Sequence, residues 1–324
     1  MAEVEFRQQL LEDGVISSKA TLTPLVGGVS SDIFRVDDGD RVFVVKRALA
    51  QLKVADEWHA DLSRNQFEVA YLNVVGEILP DVVPKVLSHN PDRGYFTMEH
   101  LGDGFRNWKT MLLTGECNPE HARRAGQVLG IIHRETSDRD DLREQFDTTD
   151  NFHDLRLEPY LLKTAERHPS VDPQLQAEAN RIRNTRQCLV HGDYSPKNLL
   201  FGEDRFVLLD CEVAWFGDPA FDVAFLLNHL MIKALHVSDE CLNLVREAWT
   251  AYRAQVENEV GAALPNLLPA LMLARIDGKS PVEYLAAEEQ VVIRQFATSL
   301  LKSPARDLDD LFRHWKCTFS LFQG

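Results

Sequence analysis

The segment His191–Glu212 reads H-G-D-Y-S-P-K-N-L-L-F-G-E-D-R-F-V-L-L-D-C-E, and it constrains this chain more than any other stretch. Three proton- or metal-handling side chains, Asp193, Asn198 and Asp210, are spaced around a hairpin whose strands are apolar enough to be buried. Gly192 permits a tight turn, and on that turn the Asp193 carboxylate can take a proton from an attacking hydroxyl. Asn198 follows five residues later, and Asp210 ends the strand Phe206-Val207-Leu208-Leu209. Both are hard oxygen donors of the kind Mg²⁺ prefers. The pattern supplies a base and metal ligands, which phosphoryl transfer needs besides accurate positioning.

Composition narrows the setting. A chain of 324 residues with 44% apolar residues can bury a sizeable core and is long enough for two lobes. A net charge of -15 and a pI of about 5.2 repel polyanions, and there is no dense Lys/Arg run, so nucleic acid is excluded as a partner. The same charge would tolerate or attract a cationic substrate, and it also serves solubility. The five cysteines, Cys117, Cys188, Cys211, Cys241 and Cys317, are scattered without a C-x-x-C pair. Reduced thiols in a cytoplasmic protein are the expectation. The N-terminus has no basic and apolar leader, and the apolar run Val223 to Val237 is broken by Asn228, His229 and Lys233, so no membrane span is expected.

In chain order, Phe6, Leu10 and Leu11 predict a short helix ended by Gly14. T-L-T-P-L-V-G-G-V-S-S-D-I-F-R-V reads as strand, glycine turn and strand. There Gly27 and Gly28 let backbone amides approach a ligand, and Ser30 and Ser31 can donate to phosphate oxygens. The next strand carries Lys46 at the end of an apolar run. A helix follows with Phe67, Tyr71, Val74, Val75 and Ile78 as its apolar stripe and Glu68 near its start. Two further strands flank a turn at Asn90 to Gly94, and the glycines of L-G-D-G suit a linker. His133 reads as a packed histidine, and the polar run from Asp138 to Asn151 as a surface loop. Asp218 before Pro219 is a helix cap. The remaining third is helical by pattern, with Arg275 and Asp277 in a helix-to-helix turn that reads as capping before a helix starting at Ser280-Pro281, the alternative being that both residues face the acceptor pocket.

H-G-D-x-x-x-x-N followed by a strand ending in aspartate resembles the catalytic and metal loops of the aminoglycoside phosphotransferase family, which includes choline-kinase-like and methylthioribose-kinase-like enzymes. The resemblance implies an α+β, protein-kinase-like two-lobed fold: a β-rich N-lobe over 1–98, a hinge at 99–104 and a helical C-lobe over 105–324. It implies ATP under the Gly27-Gly28 turn, Lys46 on the α/β-phosphates, and Glu68 paired with Lys46. Glu99, His100 and Leu101 become candidates to meet the adenine edge. Asp193 becomes the catalytic base, Asn198 and Asp210 the Mg²⁺ ligands, and Glu212 a further metal carboxylate. Asp222 would turn back onto the catalytic loop. Only five residues separate Glu212 from Asp218, which leaves no room for the long activation segment of protein kinases. The expected acceptor is therefore a hydroxyl of a small molecule, a metabolic alcohol, amino alcohol or sugar. The C-terminus W-K-C-T-F-S-L-F-Q-G has little acidity to grip an aminocyclitol, which sets an aminoglycoside resistance kinase behind that reading. A catalytically silent nucleotide-binding module is the competing one. The resemblance is thin over the C-terminal helices, where the acceptor is chosen, and the oligomeric state is left open.

Overall fold

The computed structural model describes residues 2–25, 31–49, 63–257 and 260–323. The chain divides into two compact units, Met1–Gly104 and Phe105–Gly324. In the first, α1 (Ala2–Glu12) precedes β1 (Thr21–Pro24), β2 (Ser31–Asp38) and β3 (Arg41–Ala48), followed by α2 (Arg64–Ile78), β4 (Val86–Asn90) and β5 (Tyr95–Glu99). The strands form one antiparallel sheet in the order β1-β2-β3-β5-β4. Alternation along β3 gives its two faces different work. Phe43 and Val45 join Phe6, Leu10, Phe34, Val36 and Tyr95 in a core beneath α1. Val44 and Lys46 point the other way, and Lys46 meets Glu68 of α2. The buried side of α2 comprises Glu68, Val69, Tyr71, Leu72 and Val75, while Phe67, Val74 and Ile78 are only half-buried. The expected stripe is thus rotated, because the helix must turn a carboxylate toward the sheet.

The second unit is mainly helical. It begins with β6 (Arg106–Asn107), α3 (Trp108–Leu113) and α4 (Pro119–Thr136), then α5 (Asp140–Gln145) and α6 (Thr149–Phe152). A π-helix, His153–Leu162, leads into α7 (Lys163–Arg167) and α8 (Asp172–Asn184). Next come β7 (Cys188–Val190), β8 (Leu199–Phe201), β9 (Phe206–Leu208) and β10 (Trp215–Gly217). The unit closes with α9 (Pro219–Val237), α10 (Leu242–Arg253), α11 (Leu264–Asp277), α12 (Ala287–Lys302) and α13 (Leu308–Gln323). β8 pairs with β6 and β9, and β7 with β10. α9 is long and apolar enough to cross a membrane, yet Pro219 to Leu235 are all buried inside the unit, as in a core helix.

Three expectations are corrected. The polar run from Asp138 to Asn151 is not a plain surface loop: it forms α5 and α6, because Leu142, Phe146 and Phe152 are buried and pin it to the core. Ser280-Pro281 does not start a helix; α12 begins at Ala287, capped when Glu289 Oε2 accepts from the Ala286 N–H at 2.7 Å. The thiols are not all free. Cys117 and Cys241 form a disulfide with Cα atoms 5.2 Å apart, while Cys188 and Cys211 are buried free thiols and Cys317 is exposed.

Candidate active site

Lys46 and Glu68 form an ion pair of 2.7 Å with both side chains 2% exposed. The pair spans from strand β3 to helix α2, so it fixes the ammonium at a defined point of the sheet. Ser31, the first residue of β2, is buried. Gly27, Gly28 and Ser30 lie outside the described residues. Glu99 ends β5 inside the sheet: its N–H donates to the Lys85 carbonyl at 2.9 Å and its Oε2 accepts from the Lys85 N–H at 3.1 Å. His100 Nδ1 accepts from the Gly102 N–H at 3.2 Å, and Leu101 is half-buried.

In the second unit, the catalytic loop is built from β7 outward. Gly192 has φ of +78°, and a Cβ there would lie 2.7 Å from the Val213 carbonyl oxygen, so only glycine fits this bend. Asp222, in the first turn of α9, accepts from the His191 N–H at 2.7 Å and the Gly192 N–H at 2.9 Å. His191 is buried, and its Nδ1 accepts from the Asp193 N–H at 3.0 Å while Nε2 donates to the Leu209 carbonyl at 3.1 Å. Burial holds its pKa below the usual histidine value against Asp222, Asp193 and Asp210, so the neutral tautomer with Nε2–H is kept. His133 is a packed histidine as expected, with Nδ1 3.1 Å from the Tyr252 hydroxyl.

These bonds bring the expected residues of this unit together. Asn198 Nδ2 donates to the Asp193 carbonyl at 2.9 Å, and the Leu209 N–H donates to the Asn198 carbonyl at 2.9 Å, delivering Asp210 directly after the hairpin. Asp210 has φ of +63°, a left-handed conformation that aspartate tolerates better than most side chains and that favours reshaping the strand end over continuing it. Glu212 is buried, and its carbonyl accepts from Asn151 Nδ2 at 3.3 Å.

Two residues were missed by the sequence reading. Lys197 Nζ lies 2.9 Å and Arg156 Nη2 3.2 Å from the same oxygen, Asp193 Oδ2. Arg156 also donates through Nε to the Gly192 carbonyl and through Nη1 to the Leu155 carbonyl at 2.7 Å, so it braces the bend itself. Burial pushes the Asp193 pKa up, but Lys197 and Arg156 outweigh it and hold the carboxyl below the usual value. Asp193 Oδ1 makes no hydrogen bond among the described residues, which leaves one oxygen fixed and one open. Lys197 carried a signal, four residues after Asp193 inside the same motif. Arg156 carried almost none, because it comes from the π-helix, a geometry that recurs at functional sites but has no clear sequence period.

The donor chemistry fits Mg²⁺. With Asn198 Nδ2 committed to the Asp193 carbonyl, its amide oxygen is the atom it would offer to a metal. Among the described residues there is no group of three or more His, Cys, Asp and Glu side chains that could hold a metal. One amide and one or two carboxylates, completed by phosphates and water, is the usual way Mg²⁺ is held.

A model of the APH phosphotransferase enzyme family matches residues 21–257. A methylthioribose kinase of Bacillus cereus is 25% identical over 271 residues, covering 74% of this chain and 68% of that protein. That of Bacillus mycoides is 22% identical with the same 74% and 68% coverage. Among solved structures, amicoumacin kinase hAmiN in complex with AMP-PNP, Ca²⁺ and Ami has a TM-score of 0.56 at 13% identity, covering 94% of this chain and 96% of that one. A choline/ethanolamine kinase family protein from Mesorhizobium loti has a TM-score of 0.50 at 15% identity, covering 100% and 94%. The fold is thus that of protein-kinase-like phosphotransferases, with an antiparallel sheet in the N-terminal unit and a mostly helical C-terminal unit.

Proposed function

This chain belongs to the APH phosphotransferase enzyme family, and from that premise we propose that it is an ATP- and Mg²⁺-dependent kinase of small molecules that phosphorylates an alcohol hydroxyl, with Asp193 as its base. The observation that supports this most is the asymmetry of Asp193: Lys197 and Arg156 hold one oxygen, and the other makes no hydrogen bond among the described residues. A carboxylate so held stays ionised at neutral pH and cannot rotate away from an incoming hydroxyl. In a loose transition state the proton leaves late, so a weak but aligned base suffices.

In this reading Asp193 orients the acceptor O–H and takes its proton as the acceptor oxygen bonds to the γ-phosphorus and the bond to ADP breaks. Lys197, 2.9 Å from Asp193, would meet charge on the moving phosphoryl group, and Arg156 keeps Asp193 and the Gly192 carbonyl in register. Asn198 and Asp210, with Glu212, would hold Mg²⁺, which when bound neutralises phosphate charge. Lys46, held by Glu68, serves the α/β-phosphates, and Gly27, Gly28, Ser30 and Ser31 the phosphate turn. Glu99, His100 and Leu101 serve the adenine edge, in a hinge of residues 99–104 between lobes of 1–98 and 105–324.

The test is ADP release over a panel of sugars, alcohols, amino alcohols and hydroxy acids. Asp193→Asn should lower turnover by about 10²–10⁴-fold, with AMP-PNP binding by calorimetry unchanged, and chelation of divalent cations should abolish it. Wild-type turnover in Asp193→Asn would overturn the assignment.

A further inference from the structure

The C-terminal unit also buries two basic side chains that no carboxylate contacts directly among the described residues. Lys233, on α9, is 2% exposed. Its Nζ lies 3.4 Å from His229 Nδ1 and 3.2 Å from the Tyr284 hydroxyl, and 5.0 Å over the Tyr284 ring. Two of its three protons are thereby directed at neutral acceptors and one is left over. Arg275, on α11, is likewise buried; its Nη1 donates to the Tyr160 hydroxyl at 3.2 Å, to Ser280 Oγ at 3.1 Å and to the Ser280 carbonyl. Its Nε is buried without a partner.

The nearby acids are spoken for. Glu283 bonds to Lys109. Asp277, two residues after Arg275, is clamped by Arg294 at 2.7 and 2.9 Å and by His168 at 2.8 Å. Among the described residues, neither Lys233 nor Arg275 makes an ion pair. Burial, reinforced by Lys233, Arg275, Lys197 and Lys109, holds the His229 pKa far below the histidine norm. A buried cation without a counter-charge is costly. A bound anion would offset that cost and keep the lysine charged.

The cluster adjoins Asp193 through a single side chain. The Tyr160 ring centroid lies 5.8 Å from Arg156 Cζ and 5.6 Å from Arg275 Cζ. Arg156 in turn holds Asp193. We propose that Lys233 and Arg275, with His229 and Tyr284, form the anion subsite of the acceptor pocket, so that the acceptor is a compact hydroxyl compound bearing a carboxylate or phosphate. This rests on the assignment of Asp193 as the base that meets the hydroxyl, and it gives a charge to the acceptor that net charge alone left open.

The test reads binding rather than turnover, so it fails independently of the base assignment. Full-length protein with AMP-PNP and Mg²⁺ is titrated calorimetrically with matched probes: glycerate against glycerol, gluconate against sorbitol, glycerol 3-phosphate against glycerol, choline, and inorganic phosphate alone. At least one anionic hydroxyl probe should bind tenfold or more tighter than its uncharged partner, and Lys233→Met should erase that margin. Arg275→Gln, with folding of both variants checked by circular dichroism, should erase it too and guards against a defect peculiar to one substitution. Equal or tighter binding of uncharged probes or choline overturns the proposal, as does a margin that survives both substitutions. Binding of inorganic phosphate with no anionic hydroxyl probe also overturns it, since the site would then hold free phosphate.

Discussion

Lys46 and Lys233 are equally buried, each 2% exposed, but Lys46 meets a carboxylate at 2.7 Å and Lys233 meets a neutral imidazole and a phenol. Each interrupts an apolar run, one in a central strand and one in a core helix, so the sequence around them reads alike. Glu68 compensates the desolvation of Lys46 within the chain itself. For Lys233 burial drives the pKa down to about 7, aided by Arg275 and Lys109 and opposed by Glu283. The difference shows two ways of keeping a buried ammonium: a fixed partner that makes it part of the scaffold, or an open valence that makes it a receptor.

The largest effect that could break this contrast is at the paired lysine. Glu68→Ala strands a buried charge and should cost about 3–5 kcal/mol in denaturant unfolding; a loss under about 1 kcal/mol would mean that the pair behaves as a surface bridge. At the unpaired lysine the sign should invert. In ligand-free protein at pH 6, Lys233→Met removes an uncompensated charge and should stabilise by about 1–4 kcal/mol, and a destabilisation would show that Lys233 already has its counter-charge.

That gain should also depend on pH. The folded pKa, about 7, lies below the ordinary 10.5, so the penalty on the wild type is fully present below about 7 and fades as pH rises toward 10.5. The groups around Lys233 are His229, Arg275, Lys109, Glu283 and Tyr284; burial keeps His229 neutral in this window and pushes the Tyr284 hydroxyl well up, so neither titrates across it. The stability difference between Lys233→Met and wild type should therefore shrink between pH 6 and pH 10, and a constant difference would contradict the lowered pKa. The smallest effect is a proton count. Binding of an anionic probe at pH 8 should recharge Lys233 and take up a fraction of a proton, seen as a buffer-dependent calorimetric enthalpy that Lys233→Met lacks.

Local spacing made much of the catalytic loop legible. Gly192, Asp193, Asn198 and Asp210 lie on one hairpin, where a few bonds of chain fix their separation, while Asp222, in the first turn of α9, was legible only through the resemblance. The Lys46 and Glu68 pairing was legible only through the resemblance, since a strand and a helix do not announce their facing residues. Arg156 was not legible, because a π-helix carrying Pro159 has no period that betrays its buried side. The polar run after Asp138 misled for the opposite reason: three apolar side chains outweighed its composition once there was a core to receive them.

By itself, then, the sequence determined which carboxylates and which amide share the loop, held at distances set by a short stretch of backbone. What surrounds that loop was decided by the tertiary structure. Lys109, Arg156, Lys197, Lys233 and Arg275 are scattered along an acidic chain and form no basic run, and only the packing of α3, α9, α11, the π-helix and the loop after β7 gathers their charge. Coulomb forces act through space, so a field built from distant residues exists only after the chain has folded.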